Sequence, residues 1–500
     1  MPRRLPVSVA VTLIAVLLGC RSPASPRPVP APVAEAPADA RPTARPAPSV
    51  VPVSTTVPHI EENPIPTPPL DDVDGPLTDA PLTLDEAIQL MFDANPDLES
   101  ATAQMAAADA ALERARAEFY PRLGVSEQYG VSNSPVTSFM FQLNQARLDP
   151  TVDFNNAPTT DDFHTQFRVQ HKIYAGERRV HQLHAAQAQT DAATLQLSAI
   201  QNQLVFRVAE AYYRLLQARN LIGLREESTR RLEQHLKIVR TRFENGTAVR
   251  SDVLTIEVRL AEEREALITS RNQLELAWYV LENVIGQPMA RRPLPEAPPP
   301  PPWERHVDEL EMAIDLAQAN RSEVGALASQ RSAAEEKALV AQGQKGLDVD
   351  LVADYDVYTS DFLRGNDSFF VGVVFQLSLF DGGRTRWDVA RARARVRELQ
   401  ARERRAMLDI ELDVRRAHLQ LKDAQERARV AARAVEQASE SLREIETRYR
   451  NQTATVTRLV DAQVGLANAR VRRATAEIEV EIARARLERA AGRLDSLIGR

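Results

Sequence analysis

The chain has 500 residues, enough for several compact domains, yet aromatic residues make up only 5% of it. Ala, Arg, Glu, Gln and Leu dominate the stretches 177–287 and 383–497, a mixture that favours long solvated helices over several ordinary cores. A formal net charge of −7 excludes the strongly basic surface of a general nucleic-acid binder. At the N-terminus Arg3 and Arg4 precede an apolar run from Leu5 to Leu18, which ends in Leu17-Leu18-Gly19-Cys20. The run is too short to span a bilayer and reads as an export signal over residues 1–19. Cys20 is the only cysteine, and its place resembles a lipobox, in which the chain is cut before a Cys that then carries the lipid. An ordinary signal peptide with a chance cysteine is the alternative. Arg21 in place of Asp favours sorting to the outer membrane. No later stretch is apolar enough for a membrane helix, so any spanning structure must be a β-barrel.

From residue 20 to 81 the chain holds more than half of its prolines, which makes this stretch a tether and not a core. A second Pro-rich segment, 291–304, divides the rest into stretches 82–290 and 305–497. These two resemble each other. Ala87-Ile88-Gln89-Leu90 leading to Asn95-Pro96-Asp97-Leu98 returns as Ala313-Ile314-Asp315-Leu316 leading to Arg321-Ser322-Glu323-Val324, at an offset of 226. Ile173 to Arg178 returns as Leu379 to Arg384, and Arg242 to Thr247 as Arg448 to Thr453, both at an offset of 206. Gly286 and Gly492 keep that offset, so the shift of 20 arises earlier and gives the first copy a longer loop.

Each copy changes its hydrophobic period in the same order. Residues 83–118 and 307–345 are expected to be helical, opened by Thr83 and Asp308 as N-caps. Alternating segments follow at about 122–132 and 163–174, and again at about 347–358 and 368–380. In the second copy Val349, Leu351, Ala353, Tyr355 and Val357 point one way, and Asp348, Asp350, Asp354 and Asp356 the other. One greasy face and one wet face suit barrel strands around a polar lumen, although a soluble sheet would alternate in the same way; the four aspartates would make part of that lumen acidic, with the general wetness of a water-filled pore the preferred account of any one of them. Unbroken helices are then expected from Glu177 to Glu244 and from Gly383 to Arg450. In the second, Ala428, Ala431, Val435, Ala438, Leu442, Ile445 and Tyr449 form a coiled-coil seam. Tip turns at 243–252 and 449–458 reverse the chain into a returning helix. Four strands are too few to close a barrel, so the chain must oligomerise.

The order of these motifs, duplicated, resembles the TolC-type outer-membrane efflux proteins, in their lipoprotein branch. The resemblance rests on Ala87 to Leu98, Tyr120-Pro121, the Phe380-Asp381-Gly382-Gly383-Arg384 turn, and the tips Arg242 to Leu254 and Arg448 to Leu459. It implies a mainly α fold with a membrane β-barrel: two repeats of helix, strand, strand, long helix and helix, assembled as a homotrimer. Its twelve-stranded barrel would continue into an α-helical tunnel across the periplasm. The implied function is passive exit from a tripartite efflux pump or type I secretion system, with a periplasmic adaptor and an inner-membrane transporter as partners and outer-membrane lipid around the barrel.

The family pattern also implies a pore-constricting ring of acidic residues after the second tip. Asp461 matches one such position, but Arg458 stands at the other, which points to a mixed or ion-paired constriction. Asp252 is the first-copy equivalent of Arg458, and could equally be an N-cap of the returning helix. Asn245, Gly246, Asn451 and Gln452 suit tight turns, and by resemblance sit where the adaptor docks. Phe243 and Tyr449 fill the seam or lock the tip. His181 and His184 share a helix face, but no third ligand is evident and a solvated surface is the preferred assignment. The arginines between 384 and 405 spread around their helix and form no nucleic-acid stripe. No catalytic motif and no cofactor motif is found. The rival classes are a periplasmic adaptor and a soluble coiled-coil scaffold.

Overall fold

The computed structural model describes residues 80–295, 309–361 and 364–494. The export signal, Cys20, nearly all of the tether, Asp308 and most of the Pro-rich linker lie outside the described residues. The described chain begins with α1 (Leu84–Ala94) and α2 (Pro96–Ala117), then β1 (Arg122–Ser132), α3 (Pro135–Asn144), a single 3₁₀ turn and β2 (Thr160–Tyr174). The long helix α4 (Arg178–Glu244) and the returning α5 (Arg250–Ile285) follow. The order recurs as α6 (Leu310–Asn320), α7 (Ser322–Gln342), β3 (Leu347–Asp361), β4 (Arg364–Leu377), α8 (Arg384–Arg450) and α9 (Val456–Ala490). Among the described residues, no helix is long and apolar enough to cross a membrane.

Each expected opening helix is broken in two. Pro96 disfavours a helical Asn95, which is extended at φ −76° and ψ 121°. The break is built into the packing: the Asn95 side chain accepts from the amides of Asp97 (2.8 Å) and Leu98 (3.1 Å) and donates to the Val284 carbonyl at 2.7 Å. In the second copy Arg321 takes this place, with ion pairs to Glu323 (2.8 Å) and Asp413 (3.4 Å). Thr83 caps α1 by accepting from the Glu86 amide.

The longer loop of the first copy contains α3, an element that its mixed Phe, Met and Ser composition did not announce. It is pinned to the sheet: the Ser138 hydroxyl donates to the Pro158 carbonyl at 2.8 Å, and Gln145 donates to the Asp161 carbonyl and the Asp162 carboxylate.

The four strands form one antiparallel sheet in the order β1-β2-β3-β4. Its register places Leu123, Val125 and Tyr129 opposite Val169, Phe167 and Phe163, then Phe167 opposite Tyr355 and Tyr355 opposite Phe369. All these side chains therefore share one face. Most of its large apolar groups are exposed, Phe369 at 80% and Phe375 at 69%. From the Leu347–Leu377 pair to the Tyr355–Phe369 pair this band runs ~27 Å along the strands, or ~21 Å in height at a barrel tilt of about 40°, near the ~25 Å apolar belt of a barrel. Glu127 and Asp367 share the face in the next row toward the loops, between the Val125–Phe167 pair and the outermost Tyr129–Phe163 pair.

Tight turns join strands to helices. Gly382 and Gly383 have φ of +65° and +87°, and Asp381 accepts from the amides of Gly383 and Thr385 at 2.9 Å. Hydrogen bonds from Thr385 hold the Asp381 carboxyl well below the usual carboxylate range. Both long helices have 67 residues, on the order of 100 Å each. The main core lies midway along α4, where Tyr212, Tyr213, Leu215 and Leu216 pack against α1, Trp278 and Ile285 of α5, and Ile478 and Ile482 of α9. The Tyr212 hydroxyl donates to the Leu82 carbonyl at 2.9 Å. A second core joins Ala313, Ile314 and Ala317 of α6 to Val414, Ala417 and Leu421 of α8.

The two conserved-offset glycines end the returning helices at these breaks. Gly286 has φ +97°, and a Cβ there would lie 2.7 Å from the Ala94 carbonyl oxygen and 2.7 Å from Pro96 Cδ. At Gly492, φ +69°, the neighbours stand farther off, Arg321 Cγ at 3.1 Å and the Arg321 backbone nitrogen at 3.2 Å. Left-handed strain and a backbone clash together predict that Gly286→Ala costs about 2–4 kcal/mol, and Gly492→Ala less. Thermal unfolding of the detergent-solubilised variants checks the order; equal losses would contradict it.

Candidate functional site

The far end of the helical hairpins holds the predicted tip residues. Both tips close in the same way. At the first, the Thr247 amide and hydroxyl donate to the Arg242 carbonyl (2.8 and 3.0 Å); at the second, those of Thr453 donate to Arg448 (2.8 and 3.0 Å). Asn245, Gly246, Asn451 and Gln452 are all exposed. Gly246 takes φ +71° without cost, whereas its counterpart Gln452 is held at φ +60°.

Beneath the turns, Leu232, Leu236 and Val239 of α4 pack with Ile256 and Leu260 of α5 and with Val456 and Val460 of α9. A second cluster joins Leu442 of α8 to Leu459 and Leu466 of α9, with Val435, Ala438 and Ile445 of the expected seam alongside. Tyr449 contacts both clusters, and the Arg242 guanidinium lies 4.8 Å from its ring centre. Tyr449 thus joins the two hairpins, while Phe243 stays largely exposed.

Arg458 and Asp461 are three residues apart on the exposed stripe of α9, opposite buried Leu459, Val460 and Gln463. Asp461 lies 3.6 Å from Arg259 of α5, which also pairs with Glu262 at 2.9 Å. Arg259 was not foreseen, because a partner some two hundred positions away leaves no local trace. Thr455 caps α9 by accepting from the Arg458 amide. Asp252 does not cap α5: the cap position belongs to Val249, and Asp252 sits in the first helical turn, where its charge suits the positive helix end. Thr255 stands where α9 has Asp461, its hydroxyl donating to the Ser251 carbonyl at 2.8 Å. At these two equivalent positions each copy therefore carries one carboxylate, staggered by one turn, and the second adds a guanidinium.

Further ion pairs tie α4 to α9 between the copies: Arg470 with Glu227 at 3.0 Å, Arg486 with Glu210 at 3.3 Å, and Arg214 with Glu479. Nearby, the Gln463 amide contacts the His235 ring.

The polar face of the sheet is mixed in charge, where its four aspartates alone suggested that part of it would be acidic. Arg168 donates to Asp354 at 2.7 Å, His164 pairs with Asp356 at 2.7 Å, and Arg178 pairs with Asp348. Lys172 lies 4.0 Å from Asp350. The aspartates of β3 thus find basic partners on β2 and α4, which the register brings onto the same face, and the surface is mixed in charge. On edge strand β4 this face also carries exposed Phe370 and Val374.

A sheet with one apolar face, mounted on helical hairpins that end in polar tips, is the build of an outer-membrane channel subunit. The profile of the outer membrane efflux protein family matches residues 87–287 and 313–493, and the chain belongs to that family. It is similar to protein CyaE of Bordetella pertussis, 26% identical over 367 residues that cover 71% of each chain. It is similar also to outer membrane protein TolC of Vibrio cholerae, 25% identical over 395 residues covering 75% of this chain and 84% of that one. In fold it matches the crystal structure of the Vibrio cholerae outer membrane protein VceC, with a TM-score of 0.68, 19% identity, and coverage of 82% of this chain and 96% of that one.

Two tip residues give tests. Replacing Gln452 with Gly relieves left-handed strain and is expected to stabilise the second turn by about 1 kcal/mol, seen as slower hydrogen exchange at the Thr453 amide. Burial holds the His235 imidazole below its ordinary range, helped by Arg231 and opposed by Glu446. The folded state therefore prefers neutral His235. Its contribution to stability is whole above the unfolded value near ~6.5 and is lost as pH falls from there toward the depressed folded value. His235→Gln should flatten that part of the Tm-against-pH curve; an unchanged slope would exclude His235 as its source.

Proposed function

We propose that this protein is the outer-membrane exit duct of a tripartite efflux pump or type I secretion system, conducting substrates passively and gated at its helical tip. One observation carries this reading: a four-stranded sheet with two open edges and an exposed apolar band is continuous with helical hairpins on the order of 100 Å long. In lipid the free edges of β1 and β4 need partners, and three copies supply them in a closed twelve-stranded barrel. The adaptor and scaffold alternatives give no reason for such an apolar sheet, and membership of a channel family sets them aside.

In this duct the inner-membrane transporter and periplasmic adaptor provide energy and selection, so the chain itself performs no catalysis. The adaptor docks at the tips, on Asn245, Gly246, Asn451 and Gln452. Asp461 and Arg458, with Asp252 from the first copy, line a constriction of mixed charge. Arg259 restrains Asp461 and thereby the gate. Cys20, acylated after signal cleavage, anchors the duct to the outer membrane.

Detergent, and not high salt, is expected to release the protein from membranes, as a trimer resistant to SDS. Reconstituted in a planar bilayer, it is expected to form pores blocked by multivalent cations. Asp461→Ala should weaken that block by on the order of tenfold, the loss of one charge-assisted contact. Unchanged conductance and block in this variant would remove Asp461 from the constriction.

A further inference from the structure

Close below the sheet, three potential metal ligands from different copies meet. His181 and His184 lie on one face in the first turns of α4, a few residues after β2 ends, and Glu336 lies on α7, which leads into β3. His181 Nδ1 is 2.7 Å from Glu336 Oε2, and His184 Nδ1 is 3.9 Å from the same oxygen. The three ligand atoms all fall within 4.8 Å of one another. His181 and Glu336 are partly buried, while His184 is open to solvent.

We propose that His181, His184 and Glu336 form a binding site for a divalent transition-metal cation of the zinc class, which ties α4 of the first copy to α7 of the second at the junction of sheet and helices. Two imidazoles and a carboxylate form a donor set that suits Zn²⁺ and its first-row neighbours, and not the all-oxygen shells preferred by Ca²⁺ and Mg²⁺. Bonds of ~2.0–2.2 Å in a tetrahedral shell put ligand atoms a little over 3 Å apart, between the two distances found here. A small rotation of the exposed His184 ring closes the shell, and water completes it.

Two further observations separate this cluster from an ordinary solvated surface. His181 Nε2, the ring nitrogen turned away from Glu336, lies 3.5 Å from the Glu177 carboxylate. A carboxylate on the far nitrogen is what orients a metal-binding imidazole and fixes its tautomer. The cluster is also no part of the repeated framework: Trp387 and Ala390 stand at the second-copy places of His181 and His184, and Ala110 at the first-copy place of Glu336. Packing at this level therefore does not require the three polar groups. The bound cation would replace the His181–Glu336 hydrogen bond with a cross-link between helices that start and end at neighbouring strands. It would stiffen the collar of the duct, independently of how the tip gates.

The test uses the full chain, purified without a histidine tag, stripped with chelator and titrated in detergent with Zn²⁺ by calorimetry and with Co²⁺ by visible absorption. One saturable equivalent per chain is expected, with a tetrahedral Co²⁺ band and a Tm raised by Zn²⁺. His184→Ala and the near-isosteric Glu336→Gln should each weaken binding by about 10-fold or more and abolish the Tm rise, while His418→Ala, elsewhere on α8, should change neither. Lack of saturable binding, or equal weakening by all three substitutions, would overturn the proposal. Because Glu336→Gln preserves a hydrogen-bonding group, an unaltered Tm for the metal-free variant separates loss of ligand from loss of fold.

Discussion

A backbone amide or carbonyl in lipid must have a partner, and this protein is organised around that requirement. Its sheet satisfies two internal strands fully and leaves the outer edges of β1 and β4 open. A single chain with an exposed apolar band and two open edges is stable neither in water nor in a bilayer. In the duct proposed above, other copies complete the barrel. The same logic accounts for the alternation within each strand, one face being suited to lipid and the other to water.

The helical portion obeys a different rule. Long helices rich in Ala, Arg and Glu bury little apolar surface per turn, so cohesion comes from separate clusters along their length and from ion pairs between α4 and α9. Exposed pairs of this kind contribute little individually, roughly 0–1 kcal/mol, and their value lies in fixing the alignment of one copy on the other. The partly buried Arg225–Glu263 pair, 3.1 Å, does the same for α4 on α5. At the tip the two copies diverge. Gly246 and Gln452 make one turn relaxed and the other strained, and Thr255 and Asp461 put a hydroxyl opposite a carboxylate.

Much of this was legible along the chain because the underlying physics is periodic. Alternation over 347–358 reports the pleat of β3, and the three-four spacing from Ala428 to Tyr449 reports the stripe by which α8 meets α9. The missed features depend on one position or on distant partners. Pro96 breaks the first helix through its effect on a single preceding residue, and Arg321 does so without any proline. The short α3 is held by hydrogen bonds to the sheet more than by its own pattern. Asp252 looked like a cap, but the returning helix starts three residues earlier than that reading implied, at Arg250, which hands the cap position to Val249.

The sequence by itself determined the duplication and the kinds of element, because repeat offset and hydrophobic period are properties of linear order. Only the tertiary structure decided which side chains meet. The β3 aspartates found Arg168, His164 and Arg178 through the strand register, Asp461 found Arg259 through the packing of α5 on α9, and Glu336 came to His181 and His184 through the seating of α7 on α4. Each pairing joins residues well over a hundred positions apart. Electrostatic and coordination energies act over a few ångströms of space, and distance along the chain carries no information about them until the fold is formed.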